Sequence, residues 1–251
     1  MLKVKEIQAK SILNKSKIFD YCVNPYTGCQ ISCAYCYARL FMRRYSGHEE
    51  AWGDFVDIKI NAPEILKKQL DRARRGTVWV SSVCDPYQPL EKKYRLTRQC
   101  LAELLEKQFP LNLQTKSALV VRDLDLLTGF EDAEVGFTVT TENEAMAELF
   151  EPKASAVKDR ISALEQIHLK GVKTFAFIGP VLPGDPHRLI EQLAGKVDRV
   201  YVDRMNYIST ISKFYSSHGL TAATNDAFFE KLKNEFVDAL DRYGIPYEVF
   251  F

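Results

Sequence analysis

Strand-like and helix-like segments alternate along this chain with short links, and that alternation limits the fold more than any bulk property does. Residues 19–24, 77–83, 111–115, 135–140, 172–178 and 200–203 read as strands. The fifth carries Thr174-Phe175-Ala176-Phe177-Ile178, apolar enough for a strand covered on both faces. Helices are expected at 35–45, 61–74, 97–108, 120–127, 155–171 and 189–194, then a long amphipathic one at 226–243 and a last strand at 247–251. Asn61 reads as a cap with Pro63 in the first turn, and Gly76 as a stop. Thr97 and Ser155 read as further helix starts. Six such βα units predict an α/β fold, a partial TIM-like (β/α)6 barrel with a parallel sheet. One domain is expected over 1–251, with the barrel core at about 19–206 and a helical C-terminal extension at about 207–251. Segment 48–59 is the hardest to read and is assigned at most a small extra strand.

The first strand runs into Thr27-Gly28-Cys29-Gln30-Ile31-Ser32-Cys33-Ala34-Tyr35-Cys36-Tyr37. In a barrel of this kind the strand carboxyl ends form the functional rim, which places the three thiols there. Thiolates are soft ligands that select zinc, copper(I) or iron–sulfur centres. A structural zinc site needs four closed ligands, usually from two separated pairs. One compact loop of three thiols suits a cubane held at three corners, with the fourth iron open to a small molecule. Cys22 or His48 as a fourth ligand would make the loop a zinc staple instead.

Bulk properties narrow the function classes. The chain of 251 residues has a formal net charge of +1, too little for a field that argues for nucleic acid or membrane. No apolar stretch approaches the roughly 20 residues of a membrane span, and the first twenty residues lack a signal-peptide core. A cytoplasmic location is expected, where the six cysteines stay reduced and available to metal.

The cysteine spacing after the first strand resembles the radical S-adenosylmethionine (SAM) superfamily. Further motifs resemble its spore photoproduct lyase-like (DNA repair photolyase-like) subgroup: Asn24-Pro25-Tyr26-Thr27-Gly28-Cys29, Asp85-Pro86-Tyr87-Gln88-Pro89-Leu90-Glu91, Leu96-Thr97-Arg98, Thr115-Lys116-Ser117, Arg122-Asp123-Leu124-Asp125, Glu151-Pro152 and Pro180-Val181-Leu182-Pro183-Gly184. The resemblance spans about residues 20–206. It implies that Cys29, Cys33 and Cys36 ligate a [4Fe–4S] cluster and that SAM binds its open iron. It further implies that Tyr35 packs near the adenine and that Lys116 holds the SAM carboxylate by a charge-assisted pair. Thr138 and Thr140 match hydroxyl positions near the ribose and methionine, and Ile178 and Gly179 match backbone bordering the adenine. The implied activity is reductive SAM cleavage to a 5′-deoxyadenosyl radical, followed by hydrogen-atom abstraction from an unidentified substrate. The implied partner is a one-electron reductant such as flavodoxin or ferredoxin.

Three departures from the subgroup bear on function. Cys84 stands where threonine is usual, and a rim thiol there is a candidate hydrogen-atom donor, hence catalytic. Gln30 and Ser32 leave the cysteine loop without histidine. No lesion-clamping hairpin is evident after the barrel, which weighs against the alternative of DNA lesion repair. A second alternative is a non-catalytic metal-binding protein that retains the barrel. Asp85 and Glu91 read equally as acid–base groups or as polar parts of a rigid turn. Arg39, Arg43 and Arg44 read as a solvated cationic face, Cys22 and Cys100 as core packing, and His168 as structural.

Overall fold

A computed structural model describes residues 2–251, apart from the side chains of Arg43 and Arg44 in the cationic face noted above. The chain runs β1 (Lys3–Ile7), β2 (Leu13–Lys15), β3 (Tyr21–Val23), β4 (Tyr26–Thr27), α1 (Ala38–Ser46), β5 (Phe55–Lys59) and α2 (Ala62–Leu70). Then follow β6 (Val78–Val80), α3 (Glu91–Tyr94), α4 (Leu96–Glu106), β7 (Leu111–Thr115), a 3-10 turn (Ala118–Asp123) and α5 (Leu124–Leu127). The rest is β8 (Ala133–Thr138), α6 (Glu144–Phe150), α7 (Val157–His168), β9 (Lys173–Ile178), α8 (Pro186–Leu193), β10 (Arg199–Val202), α9 (Ile208–Ser217), a second 3-10 turn (Thr221–Thr224), α10 (Asp226–Tyr243) and β11 (Tyr247–Val249).

The main sheet has the order β11-β10-β9-β8-β7-β6-β3-β2. From β3 to β11 every neighbouring pair is parallel, and β2 closes one edge antiparallel to β3. Spatial order therefore follows chain order from β3 onward, as successive crossovers of one hand produce. This is the expected partial barrel, with β3, β6, β7, β8, β9 and β10 as its six core strands and β11 added by the C-terminal extension.

The two-residue period of the strands splits the sheet into two chemistries. Val78 and Val80, Leu111 and Leu113, Val135 and Phe137, Ala176 and Ile178, Val200 and Val202 all enter one core beneath the helices. Leu66 and Leu70 of α2 join Leu101 and Leu104 of α4 in that core, as do Leu189 and Leu193 of α8 with Phe236 and Leu240 of α10. Each such side chain contributes about 1.5–3 kcal/mol on burial. The intervening residues, among them Trp79, Gln114, Thr138 and Phe177, face the other way and line the rim cavities.

Of three expected helix starts, Asn61 holds and the other two differ. Asn61 caps α2 by position, but its side chain bonds Ala9 through both amide atoms and so ties the N-terminal segment to the helix. Thr97 lies inside α4, whose cap is Arg95 at φ 54°; the Thr97 hydroxyl donates to the Pro86 carbonyl. Ser155 precedes the Ala156 cap of α7 and accepts from the Ala118 N–H.

Segment 48–59 does contain a strand, β5, but that strand belongs to a separate small sheet of order β1-β5-β4. His48 stacks on Phe55 at 4.1 Å between centroids, and Glu50 and Asp57 hold its two ring nitrogens at 2.9 and 3.1 Å. The C-terminal extension packs through a second apolar cluster, in which Phe150 meets Phe214 and Tyr215 edge-on.

Candidate functional site

The cysteine loop joins β4 to α1 and is fastened by its backbone. Gln88 is fully buried; its side-chain oxygen accepts from the Gln30 N–H at 2.9 Å and its amide donates to the Gly28 carbonyl at 3.3 Å. Gln30 returns the contact by accepting from the Leu90 N–H at 2.7 Å. The Asp85 N–H lies 3.4 Å from Cys29 Sγ. Gly28 sits at φ +88°, and a Cβ there would lie 2.4 Å from the Phe55 carbonyl oxygen, so the loop requires glycine at this point.

The Asp85–Glu91 motif resolves to the structural side of its two readings. The Asp85 carboxylate accepts from Thr115 Oγ1, the Lys116 N–H and the Tyr87 N–H at 2.7–2.8 Å, locking the end of β7 to the turn. Fully buried Glu91 accepts from Tyr26, from Arg122 at 2.8 Å and from the Thr97 N–H at 3.0 Å. Four donors, the Arg98 N–H at 3.3 Å included, fill the acceptor sites of Glu91, and three of the roughly four on Asp85 are taken.

Cys29, Cys33 and Cys36 border one cavity of about 130 Å³ together with Trp79, Ser81, Cys84 and Lys116. A second cavity of about 260 Å³ opens beside it between the ends of β8, β9 and β10, lined by Tyr35, Phe177, Gly179, Asp203 and Tyr207 among others. The two share Cys33, Cys36, Tyr37, Gln114, Lys116 and Thr138, so they adjoin along one wall of the rim chamber.

The expected cofactor contacts divide. Lys116 lies in the shared wall with its Nζ 5.7 Å from the centre of the Tyr35 ring. Burial works against its charge, but Cys33, Glu151 and Asp85 outweigh that and raise its pKa. Thr138 borders both cavities and accepts from Gln114 Nε2 at 2.8 Å. Gly179 lines the larger one, where a Cβ would come within 2.3 Å of the Phe177 ring. Tyr35 lines the chamber too, but its phenol is held by Glu151. Thr140 and Ile178, the latter expected to border the adenine through its backbone, are not among the residues that line the two cavities. The Thr140 hydroxyl donates to Glu151 at 3.3 Å, because β8 ends at Thr138 and the chain bends toward α6. The Ile178 side chain is core, and its carbonyl accepts from the Asp203 N–H at 3.0 Å.

Glu151 and Arg160 form a buried pair at 2.5 Å beneath the chamber. Arg160 also donates to the carbonyls of Thr138 and Ser155. Their roles, like those of Gln88 and Gln114, were invisible in the sequence beyond the Glu151-Pro152 and Gln88-containing motifs, because the partners lie 9 to 60 residues away. Cys84 borders the smaller cavity, packs against the cysteine loop, and its Sγ lies 3.7 Å from the Tyr26 carbonyl. Burial pushes its thiol up to about 12.

The donor set fits an iron–sulfur cluster better than a zinc ion. All three loop cysteines are free thiols, raised by burial, so their thiolates form here only against a compensating positive charge. Among the described residues no three Cys, His, Asp or Glu side chains converge on one ion. A cubane needs only thiolates around a cavity, since each binds a different iron. The fourth ligands that zinc would require are engaged elsewhere: His48 by its two carboxylates, and Cys22 within β3 opposite Trp79.

The Radical SAM superfamily model matches residues 23–197, and the chain belongs to that superfamily. Its cofactors are accordingly a [4Fe–4S] cluster and SAM. The chain is 37% identical over 184 residues to an uncharacterized protein of Methanocaldococcus jannaschii, covering 72% of this chain and 69% of that one. It is 26% identical over 177 residues to a radical SAM Nalpha-GlyT isomerase of Pseudomonas phage M6, covering 68% of this chain and 36% of that one. In fold it is similar to spore photoproduct lyase complexed with dinucleoside spore photoproduct, with a TM-score of 0.71 at 14% identity, covering 98% of this chain and 81% of the lyase. No helix among the described residues is long and apolar enough to cross a membrane.

Proposed function

We propose that this chain is an enzyme that draws one electron from a flavodoxin- or ferredoxin-like donor and abstracts a hydrogen atom from an organic substrate. The observation that carries the reading is the pair of adjoining rim cavities: the three cysteines border the first, and Cys33, Cys36 and Lys116 border the second as well. The cluster on Cys29, Cys33 and Cys36 would supply the electron that cleaves SAM to methionine and a 5′-deoxyadenosyl radical. Lys116 meets the SAM carboxylate, and its charge is sustained by Glu151 and Asp85. Thr138 offers its hydroxyl at the shared wall, with Gln114 fixing the rotamer. Gly179 and Phe177, which line the larger cavity, would border the adenine. Cys84, which borders the smaller cavity with Trp79 and Ser81, would return the hydrogen atom of its thiol to a product radical and be left as a thiyl radical to be reduced in turn by the electron donor.

The test is anaerobic purification, iron and sulfide analysis, then incubation with SAM and dithionite. Methionine and 5′-deoxyadenosine should form, and Cys33→Ala should abolish both product and iron. Lys116→Met should keep the iron and weaken SAM binding about 10- to 100-fold, the worth of one charge-assisted hydrogen bond. A colourless protein holding zinc, with no SAM cleavage, overturns the proposal.

A further inference from the structure

The small sheet serves as a platform behind the cysteine loop, and it delivers one group that the chemistry above leaves unused. Phe55 of β5 fills the space that Gly28 leaves open, and His48 stacks on its far face. Trp52 packs edge-on against Phe55 at 6.0 Å. On its other side Trp52 joins the apolar cluster of Cys29, Ile31 and Cys33, and with Ser32 and Cys33 it borders a cavity behind the loop. Two tethers fix it there. The Ser32 hydroxyl donates to the Trp52 carbonyl at 3.0 Å. Gly53, at φ +97°, lets the chain turn so closely that a Cβ would lie 2.3 Å from Ser32 Oγ.

Despite this support, the Trp52 indole nitrogen is shut off from solvent and has no hydrogen-bond partner. A buried N–H left unmade costs about 1–3 kcal/mol. Among the described residues nothing pairs with it, and the indole ring packs in the cluster that holds the Cys29 and Cys33 sulfurs. A thiol sulfur is a weak acceptor, whereas a metal-bound thiolate or sulfide is a strong, charge-assisted one.

We infer that the Trp52 indole N–H donates a hydrogen bond to a sulfur of the loaded cluster on the Cys33 side and thereby sets its reduction potential. The inference rests on the cluster reading of the site and concerns a positioning and tuning group, not a catalytic one. Hydrogen bonds to sulfur are among the levers that set iron–sulfur potentials, because a donor stabilises the more negative, reduced state. Trp52 should therefore make the cluster easier to reduce.

Trp52→Phe keeps the ring against Phe55 and removes only the donor. The loaded, SAM-free protein is titrated anaerobically and the reduced cluster followed by electron paramagnetic resonance, with iron and sulfide content measured alongside. The variant should hold wild-type iron but be about tenfold harder to reduce, which is about 59 mV for a one-electron couple. A second measurement needs no variant at this position. The chain has two tryptophans, so a Trp79→Phe protein grown on indole-15N tryptophan carries the label at Trp52 alone. The reduced cluster should then show hyperfine coupling to that nitrogen and to its exchangeable proton. An unchanged potential at full iron loading, or the absence of both couplings in the labelled protein, overturns the inference. A fully loaded cluster that shifts as expected but cleaves no SAM would instead count against the enzymatic function alone.

Discussion

The Glu151–Arg160 pair gives the sharpest energetic test of the site. Both residues are at most 2% exposed, and the pair closes at 2.5 Å beneath the chamber. Arg160→Met leaves the Glu151 carboxylate buried with the Tyr35 and Thr140 hydroxyls, and with the Lys116 ammonium as the remaining, more distant positive charge. Stripping one partner from a buried ion pair costs about 3–5 kcal/mol, because the remaining charge has lost both its water and its directly bonded partner. At roughly 2–4 °C per kcal/mol for a chain of this size, that is a fall in Tm of about 6–20 °C. Thermal and urea unfolding of the iron-free protein, followed by circular dichroism, measures it. Glu151→Gln should lose a similar amount, since it strands the Arg160 guanidinium instead, and should also weaken SAM binding by removing one of the charges that sustain Lys116. The double variant Glu151→Leu/Arg160→Met should recover most of the loss, as apolar replacement of whole buried pairs is often neutral or better. Single variants that cost less than about 1 kcal/mol, or a double variant whose losses simply add, would refute the reasoning.

Other expectations follow from the same contacts. Cys84→Ala should leave SAM cleavage intact and change the distribution of products once a substrate is in hand; identical products would remove Cys84 from the chemistry. Gly53→Ala forces a side chain into a left-handed turn against Ser32, so stability should drop by about 1–3 kcal/mol and iron retention with it. Gln88→Leu cuts both side-chain ties to the cysteine loop, and iron should be lost faster to a chelator at unchanged secondary structure. The Asp125 carboxyl is held down to about 2 by its hydrogen bond to Arg98. Its ionised form is the one favoured by folding, so its contribution is complete above the ordinary value of 3.8 and fades as pH falls through about 2. Asp125→Asn should flatten the acid limb of a stability-against-pH curve slightly, since the pair is exposed.

The barrel was legible because its strands are short apolar runs between capped helices, a pattern that Val78–Val80, Lys173–Ile178 and Arg199–Val202 carry locally. The small sheet was not. In β1 four of five residues are exposed and charge alternates with aliphatic residues, so nothing in Lys3–Ile7 signals pairing with Phe55–Lys59 some fifty positions on. The site shows the same division. Cysteine spacing marked the metal loop, yet Glu91 carried no sign that its carboxylate was spoken for by Tyr26, Arg122 and the start of α4. Strand period two placed Thr138 and Thr140 on one side; the end of β8 at Thr138 broke that period and sent Thr140 to Glu151. Thr97 had the right residue type for a cap, but the left-handed Arg95 supplied the turn. For the small sheet and Glu91 a distant partner overrode the local preference; at Thr97 and Thr140 the local backbone did.

The fastening of the metal loop by Gln88 and Gln30 uses main-chain atoms and asks nothing of the sulfurs. The polypeptide therefore holds its mould before iron arrives, unlike small zinc domains whose ordering waits for the ion. Loading becomes the filling of a finished vessel, and emptying it leaves the vessel standing. Oxygen damage to the inorganic core should then be repairable in place, without a round of unfolding.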